Sequence, residues 1–132
     1  MASCLDAWTL IALLDDEPAA GRVEQLIRDG GCVICWINVG EVRYAQARRG
    51  KADAVDQAIA TLPAHITLVD ATGSRVLAAA RLTSRLALPY ADGFAAATAI
   101  ELGIPLATGD SGLLALDEVG LHVLDLWDGT GA

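Results

Sequence analysis

Four acidic residues interrupt apolar or small-residue surroundings. Asp6 closes the run Ala2-Ser3-Cys4-Leu5, and Glu41 sits in Ile37-Asn38-Val39-Gly40-Glu41-Val42. Asp92 follows Leu88-Pro89-Tyr90-Ala91, and Asp110 ends Ile104-Pro105-Leu106-Ala107-Thr108-Gly109. A carboxylate beside such runs is expected to be partly buried, which is costly unless the charge is paired or binds metal. No Lys or Arg lies within two residues of Asp6, Asp92 or Asp110, although Arg43 is close to Glu41. Four acids brought together without counter-charge suggest an oxygen-ligand site for Mg²⁺ or Mn²⁺. Such a cluster polarises a phosphodiester and lowers the pKa of a coordinated water towards neutrality, and a second metal stabilises the leaving oxygen.

Each acid also has a structural explanation. Asp6 is placed to N-cap a helix beginning near Trp8, Glu41 and Asp92 are placed as first-turn acids, and Asp110 is placed to cap a turn at Leu113. Taken singly, neither explanation prevails. Other acids fit structural roles better: Asp70 as the cap of a long helix, Asp15-Asp16-Glu17 at the start of a helix, and Asp117 and Glu118 in a surface turn. Asp125 and Asp128 stand near a terminus, and Glu101, nine residues after Asp92, falls on the opposite helix face.

No other catalytic machinery is visible. The chain has no Walker loop, GxGxxG fingerprint or HExxH pair, and His65 and His122 stand at strand starts far from any nucleophile. Cys32-Val33-Ile34-Cys35 has the spacing of redox and zinc motifs, but within a strand residues three apart point to opposite faces. No second ligand pair is present, so these cysteines and Cys4 are expected to pack in the core.

The elements that position the acids alternate. Short strands are expected at Ser3 to Leu5, Cys32 to Cys35, near Ile66 to Val69, at Pro105 to Ala107 and at His122 to Leu124. Helices are expected from Trp8 to Leu14, Pro18 to Arg28, Val39 to Arg49, Ala52 to Thr61, Ser74 to Leu86 and about Ala91 to Leu102, with a helical turn at Leu113 to Leu116. Strands joined by helical crossovers imply an α/β fold with a mainly parallel sheet covered on both faces. In such sheets functional groups gather beyond the carboxyl ends of the strands, where Asp6 and Asp110 fall.

At 132 residues the chain is expected to form one domain over 1–132, and an apolar content of 54% excludes disorder. No segment reaches the roughly 18 apolar residues of a membrane helix. The apolar run from Ala7 to Leu14 follows Asp6 without a basic leader, so a cytoplasmic location is expected. A net charge of −8 argues at first against nucleic acid. Bound cations would cancel part of that charge. The basic residues also cluster: Arg43, Arg48, Arg49 and Lys51 after Glu41, and Arg75, Arg81 and Arg85 before Asp92. These clusters are placed either to flank a substrate or to solvate helix faces.

The four acids, in this order and with these surroundings, resemble the PIN-domain ribonucleases, in particular the VapC-type toxins of type II toxin–antitoxin modules. The resemblance rests on Cys4-Leu5-Asp6-Ala7 followed by an apolar helix, Ile37-Asn38-Val39-Gly40-Glu41-Val42, Leu88-Pro89-Tyr90-Ala91-Asp92-Gly93-Phe94 with its Ala-rich continuation, and Leu106-Ala107-Thr108-Gly109-Asp110. It implies a three-layer α/β/α sandwich and Mg²⁺- or Mn²⁺-dependent cleavage of structured RNA. It also implies Asp6, Asp92 and Asp110 as metal ligands, Glu41 as a further ligand or an orienter of water, and Thr108 as a supporting hydroxyl. A homodimer inhibited by a cognate antitoxin is implied too, with Trp36, Tyr44, Trp127 and the first helix as candidate contacts. The chain departs from the family pattern at Trp8, where many relatives carry a small hydroxyl residue, with Thr9 next. It departs again at Ser111-Gly112, where many carry a further acid or aromatic.

Two other classes remain. A phosphoryl-handling Rossmann-like enzyme would use Asp6 as nucleophile, but a dehalogenase-like phosphatase wants an acid where Trp8 stands, and a receiver domain wants a Lys after the last strand. The other is a non-catalytic PIN-like interaction domain whose acids bind a basic peptide.

Overall fold

The computed structural model describes residues 2–127; Asp128 lies outside them. Five strands, β1 (Ser3–Leu5), β2 (Cys32–Cys35), β3 (Thr67–Val69), β4 (Leu106–Thr108) and β5 (Val123–Asp125), form a sheet in the order β3-β2-β1-β4-β5. Every neighbouring pair is parallel, where a mainly parallel sheet was expected. The helices are α1 (Ala7–Leu14), α2 (Ala20–Asp29), α3 (Trp36–Arg48), α4 (Ala52–Thr61), α5 (Gly73–Leu86), α6 (Tyr90–Leu102) and α7 (Ser111–Leu114), with a 3₁₀ turn at Leu62–Ala64. Among the described residues no helix is long and apolar enough to cross a membrane.

The two-residue period of the strands divides the interior into two cores. Leu5, Ile34 and Ala107 pack with Leu10, Val23, Val39, Val42 and Val55 from α1 to α4. Cys4, Cys35 and Leu106 pack with Ala79, Leu82 and Phe94 from α5 and α6. Helices therefore cover both faces, which is the three-layer α/β/α arrangement. Cys32 lies in the first core and Cys35 in the second, so the thiols of the CxxC spacing are separated by the sheet. All three cysteines are free and buried.

Helix α6 is buried from Gly93 to Ala99, which explains its run of small residues. A Cβ at Gly93 would meet the Thr83 hydroxyl of α5 at 1.9 Å, so glycine permits the close approach of α5 to α6.

Three local readings are corrected. Helix α3 begins at Trp36 rather than Val39, because β2 stops at Cys35, its last residue paired with β3. The apolar Trp36-Ile37 extends the strand pattern in sequence but is already helical. Glu41 consequently lies in the second turn of α3, not the first. Helix α5 is capped by Thr72, whose hydroxyl accepts from the Arg75 N–H at 3.3 Å, and not by Asp70.

Asp15, expected at the start of a helix, instead ends α1. Its carboxylate accepts from Gln46 at 2.9 Å, Arg49 at 2.6 Å and Lys51 at 2.9 Å, fastening α1 to the end of α3. Burial alone would raise its pKa, but the hydrogen bonds from Gln46, Lys51 and Arg49 prevail and hold it down at about 2. A depressed pKa contributes stability above the ordinary carboxylate range that is lost as pH falls through about 2. Because both cations are largely exposed, Asp15→Ala is expected to cost only about 1 kcal/mol at neutral pH, or about 4 °C in Tm. Thermal denaturation at pH 7 and pH 2 checks this: the difference from wild type should shrink at the lower pH.

Candidate active site

The strand order reverses at β1: the chain steps outward to β2 and β3, then returns to β4 on the other side. Ligands of open α/β sheets bind at this switch point, beyond the carboxyl ends of the strands. Asp6 directly follows β1, and Asp110 comes two residues after β4. Asp92 lies in the first turn of α6, whose positive dipole end favours a carboxylate.

Asp6 is 2% exposed and serves as the N-cap of α1, accepting from the Thr9 N–H at 2.9 Å. Its second oxygen accepts from the Thr108 hydroxyl. That hydroxyl in turn accepts from the Asp110 N–H at 3.0 Å, so Thr108 joins the two acids. Asp110 caps α7 through the Leu113 N–H at 3.1 Å. The capping roles read in the sequence are thus real for Asp6 and Asp110. They also immobilise both carboxylates, which any ligand role requires.

Asp6, Glu41 and Asp92 each feel neighbouring acids. Burial pushes Asp92 up to about 7, with further increments from Asp110, Glu41 and Asp6. Burial also raises Asp6, to about 6, against the lowering hydrogen bonds of Thr108 and Thr9, with Asp110 adding a smaller rise. Burial raises Glu41 too; the Asn38 amide opposes this and Asp110 reinforces it. None of the four takes part in the ion pairs found among the described residues. Five cations of the basic clusters pair with other acids: Arg43 with Asp56, Arg49 and Lys51 with Asp15, Arg75 with Glu101 and Arg85 with Glu118. Arg48 lies over the Tyr44 ring.

Asn38 was not singled out by its sequence context, yet it organises the site. It is fully buried, and its amide donates to the Ala91 carbonyl at 2.9 Å, tying the first turn of α3 to the start of α6. Glu41 lies three residues further along α3, on the same face. Asn38 Oδ1 and Glu41 Oε1 are both buried without a hydrogen-bond partner. Unpartnered buried acceptors cost free energy that a donor or a cation would recover. Among the described residues, no three His, Cys, Asp or Glu side chains form a ready-made cage for an ion. The donor set itself, all carboxylate oxygen with one of them orphaned, is of the type that hard divalent cations take. Asn38→Ala is expected to loosen Glu41 against Asp92 and lower any metal-dependent turnover about tenfold, with the circular dichroism spectrum unchanged.

The departure at Trp8 packs against the Thr108-Gly109-Asp110 turn. The Trp8 indole covers Gly109 so closely that a Cβ there would lie 2.3 Å from its ring carbons, which explains the glycine of Thr108-Gly109-Asp110. The Thr9 hydroxyl donates to the Ala107 carbonyl at 2.7 Å and so holds α1 against β4.

The family model described as PIN domain matches residues 3–119. The chain belongs to the PIN-domain family. No curated protein matches it. Among solved structures, this PIN domain is similar to VapBC2 from Rickettsia felis bound to a promoter DNA fragment, with a TM-score of 0.75 and 16% identity over 97% of this chain and 100% of that one. It is similar to VapC20 of Mycobacterium tuberculosis, a toxin that cleaves the sarcin–ricin loop, with a TM-score of 0.73 and 18% identity over 89% and 98%. VapBC-5 of the same organism gives 0.63 and 23% over 94% and 98%. At these identities the likeness is one of fold.

Proposed function

We propose that this PIN domain is a metal-dependent endoribonuclease, the toxin of a toxin–antitoxin pair. The observation that carries the reading is the placement of Asp6, Asp92 and Asp110 about the switch point of a PIN fold with Glu41 coupled to them. Burial and neighbouring acids raise the pKa values of Asp6, Glu41 and Asp92, and none of the four is ion-paired among the described residues. Asp6, Asp92 and Asp110 would hold Mg²⁺ or Mn²⁺. The bound ion supplies charge stabilisation at the phosphodiester and acidifies a water. Thr108 fixes the orientation of Asp6 and, through its backbone bond, the position of Asp110. Glu41, with one oxygen free of partners and a raised pKa, orients the attacking water and takes up its proton. Attack at phosphorus forms the new P–O bond as the bond to the leaving ribose oxygen breaks.

The solved structures that this domain resembles include complexes of VapB with VapC, which supports a cognate antitoxin as partner. A homodimer is part of the same reading. The candidate contacts Trp36, Tyr44 and Trp127 are all exposed, as a contact surface requires. An acidic, cation-seeking pocket would accept a basic side chain from an antitoxin as a competitor for metal. Incubating the purified protein with a small-RNA pool in Mn²⁺, Mg²⁺ or EDTA tests the reading. Discrete fragments that require metal are expected; an intact pool with every metal, from folded protein free of antitoxin, would refute it.

A further inference from the structure

None of the four acids is ion-paired among the described residues, and the surface beside Asp110 is lined by aromatic rather than basic side chains. Beside Asp110 the surface opens into a cavity of about 290 Å³ lined by Trp8, Gly109, Asp110, Ser111, Leu114 and Trp127. Trp8 lies flush on Gly109, and Trp127 is 41% exposed at the end of the path from β5. The Trp127 backbone N–H donates to the Asp125 carboxylate at 2.8 Å. Two indoles thus line a cavity that contains a carboxylate of the candidate metal site and the side chain of Ser111.

We propose that this cavity receives one unpaired base of the RNA, stacked against Trp127 and Trp8, next to the phosphodiester presented to the acids. The proposal rests on the nuclease reading and names the substrate feature it selects: a base free of its helix. Aromatic side chains bind splayed bases of single-stranded RNA through their π-faces. Such stacking needs no positive charge, which suits a chain of net charge −8. Ser111 supplies a hydroxyl at the rim for a base edge.

The test compares wild type with Trp127→Ala and Trp127→Phe; Trp8 is left alone because it supports Gly109. Binding of a short, mixed-sequence, dye-labelled single-stranded oligoribonucleotide, and of the same strand annealed into a duplex, is followed by fluorescence anisotropy of the dye. Asp92→Asn is included in every protein to prevent cleavage. Cleavage kinetics on the small-RNA pool are measured with Asp92 intact. Trp127→Ala is expected to weaken single-strand binding about tenfold and to raise KM more than it lowers kcat. Trp127→Phe should recover most of the loss, and the duplex should bind poorly to all three. Metal-dependent cleavage with the same KM and binding in Trp127→Ala would overturn the base cavity and leave the nuclease reading standing. A Trp127→Ala effect confined to oligomeric state on size exclusion would assign the indole to a second copy instead. Wild type that neither binds nor cleaves RNA would overturn both.

Discussion

Asp92→Asn is expected to reduce RNA cleavage about 10³-fold while the protein stays folded and, without metal, becomes more stable. The loss follows from removing one charged ligand from a cation that contributes several kcal/mol to the transition state, with each factor of ten worth about 1.4 kcal/mol. The gain follows from the cost of the same charge in the apo protein. Burial and three neighbouring acids push Asp92 up to about 7, so its ionised form is disfavoured in the fold at neutral pH. Replacing it with a neutral isostere removes that repulsion. After discounting for solvent the stabilisation is about 1–2 kcal/mol. An effect on activity opposite in sign to the effect on stability separates a functional carboxylate from a structural one. Asp15→Ala, by contrast, should lower stability without this trade-off. Cleavage rates and thermal denaturation in EDTA check both halves.

Metal and pH are expected to act on stability together. Asp6 and Asp92 have folded pKa values of about 6 and about 7, above the ordinary carboxylate value. Between that value and about pH 7 the folded state holds protons that the unfolded state has released. The stability they confer is complete below about pH 4 and is lost as pH rises through 7. The apo protein should therefore lose about 2–3 kcal/mol between pH 5 and pH 8 from this source, less than two independent shifts would give because the acids are coupled. Mn²⁺ at a hundredfold excess over its Kd should restore about 2.7 kcal/mol at pH 8. It should restore little at pH 5, where protons occupy the ligands. Denaturant titrations at the two pH values, with Mn²⁺ and with EDTA, measure this. Equal stabilisation by Mn²⁺ at both would point to a site elsewhere.

The acids were legible because each breaks an apolar context, and the burial that makes such a break visible in sequence is the same burial that raises the pKa values of Asp6, Glu41 and Asp92. The parallel sheet was legible because its strands alternate with helical runs ended by Gly30, Gly50 and Gly103, each at positive φ in the structure. Asn38 was not legible. Its role depends on the Ala91 carbonyl, 53 residues away, and nothing local marks an asparagine in an early helical turn. The start of α3 was misplaced because Trp36 and Ile37 suit strand and buried helix alike, and only the pairing of Cys35 with Val69 decides between them. The meeting of Trp8 with Gly109 was hidden for the same reason, since each was visible as a departure or a turn residue, but their contact is tertiary. The sequence left the basic clusters open to flanking a substrate or solvating helix faces, and charge spacing could not show that Asp15, Asp56, Glu101 and Glu118 pair with Arg43, Arg49, Lys51, Arg75 and Arg85.

Titration of Mn²⁺ into the purified, metal-free protein at pH 7.5 or above, followed calorimetrically beside Asp6→Asn, Asp92→Asn and Asp110→Asn, tests the central claim most directly. Saturable binding to the wild type that weakens at least about tenfold in each variant, all of them folded, is the predicted result. A wild type that binds no Mn²⁺, or variants that bind it as tightly as the wild type, would contradict the assignment of these carboxylates to a metal.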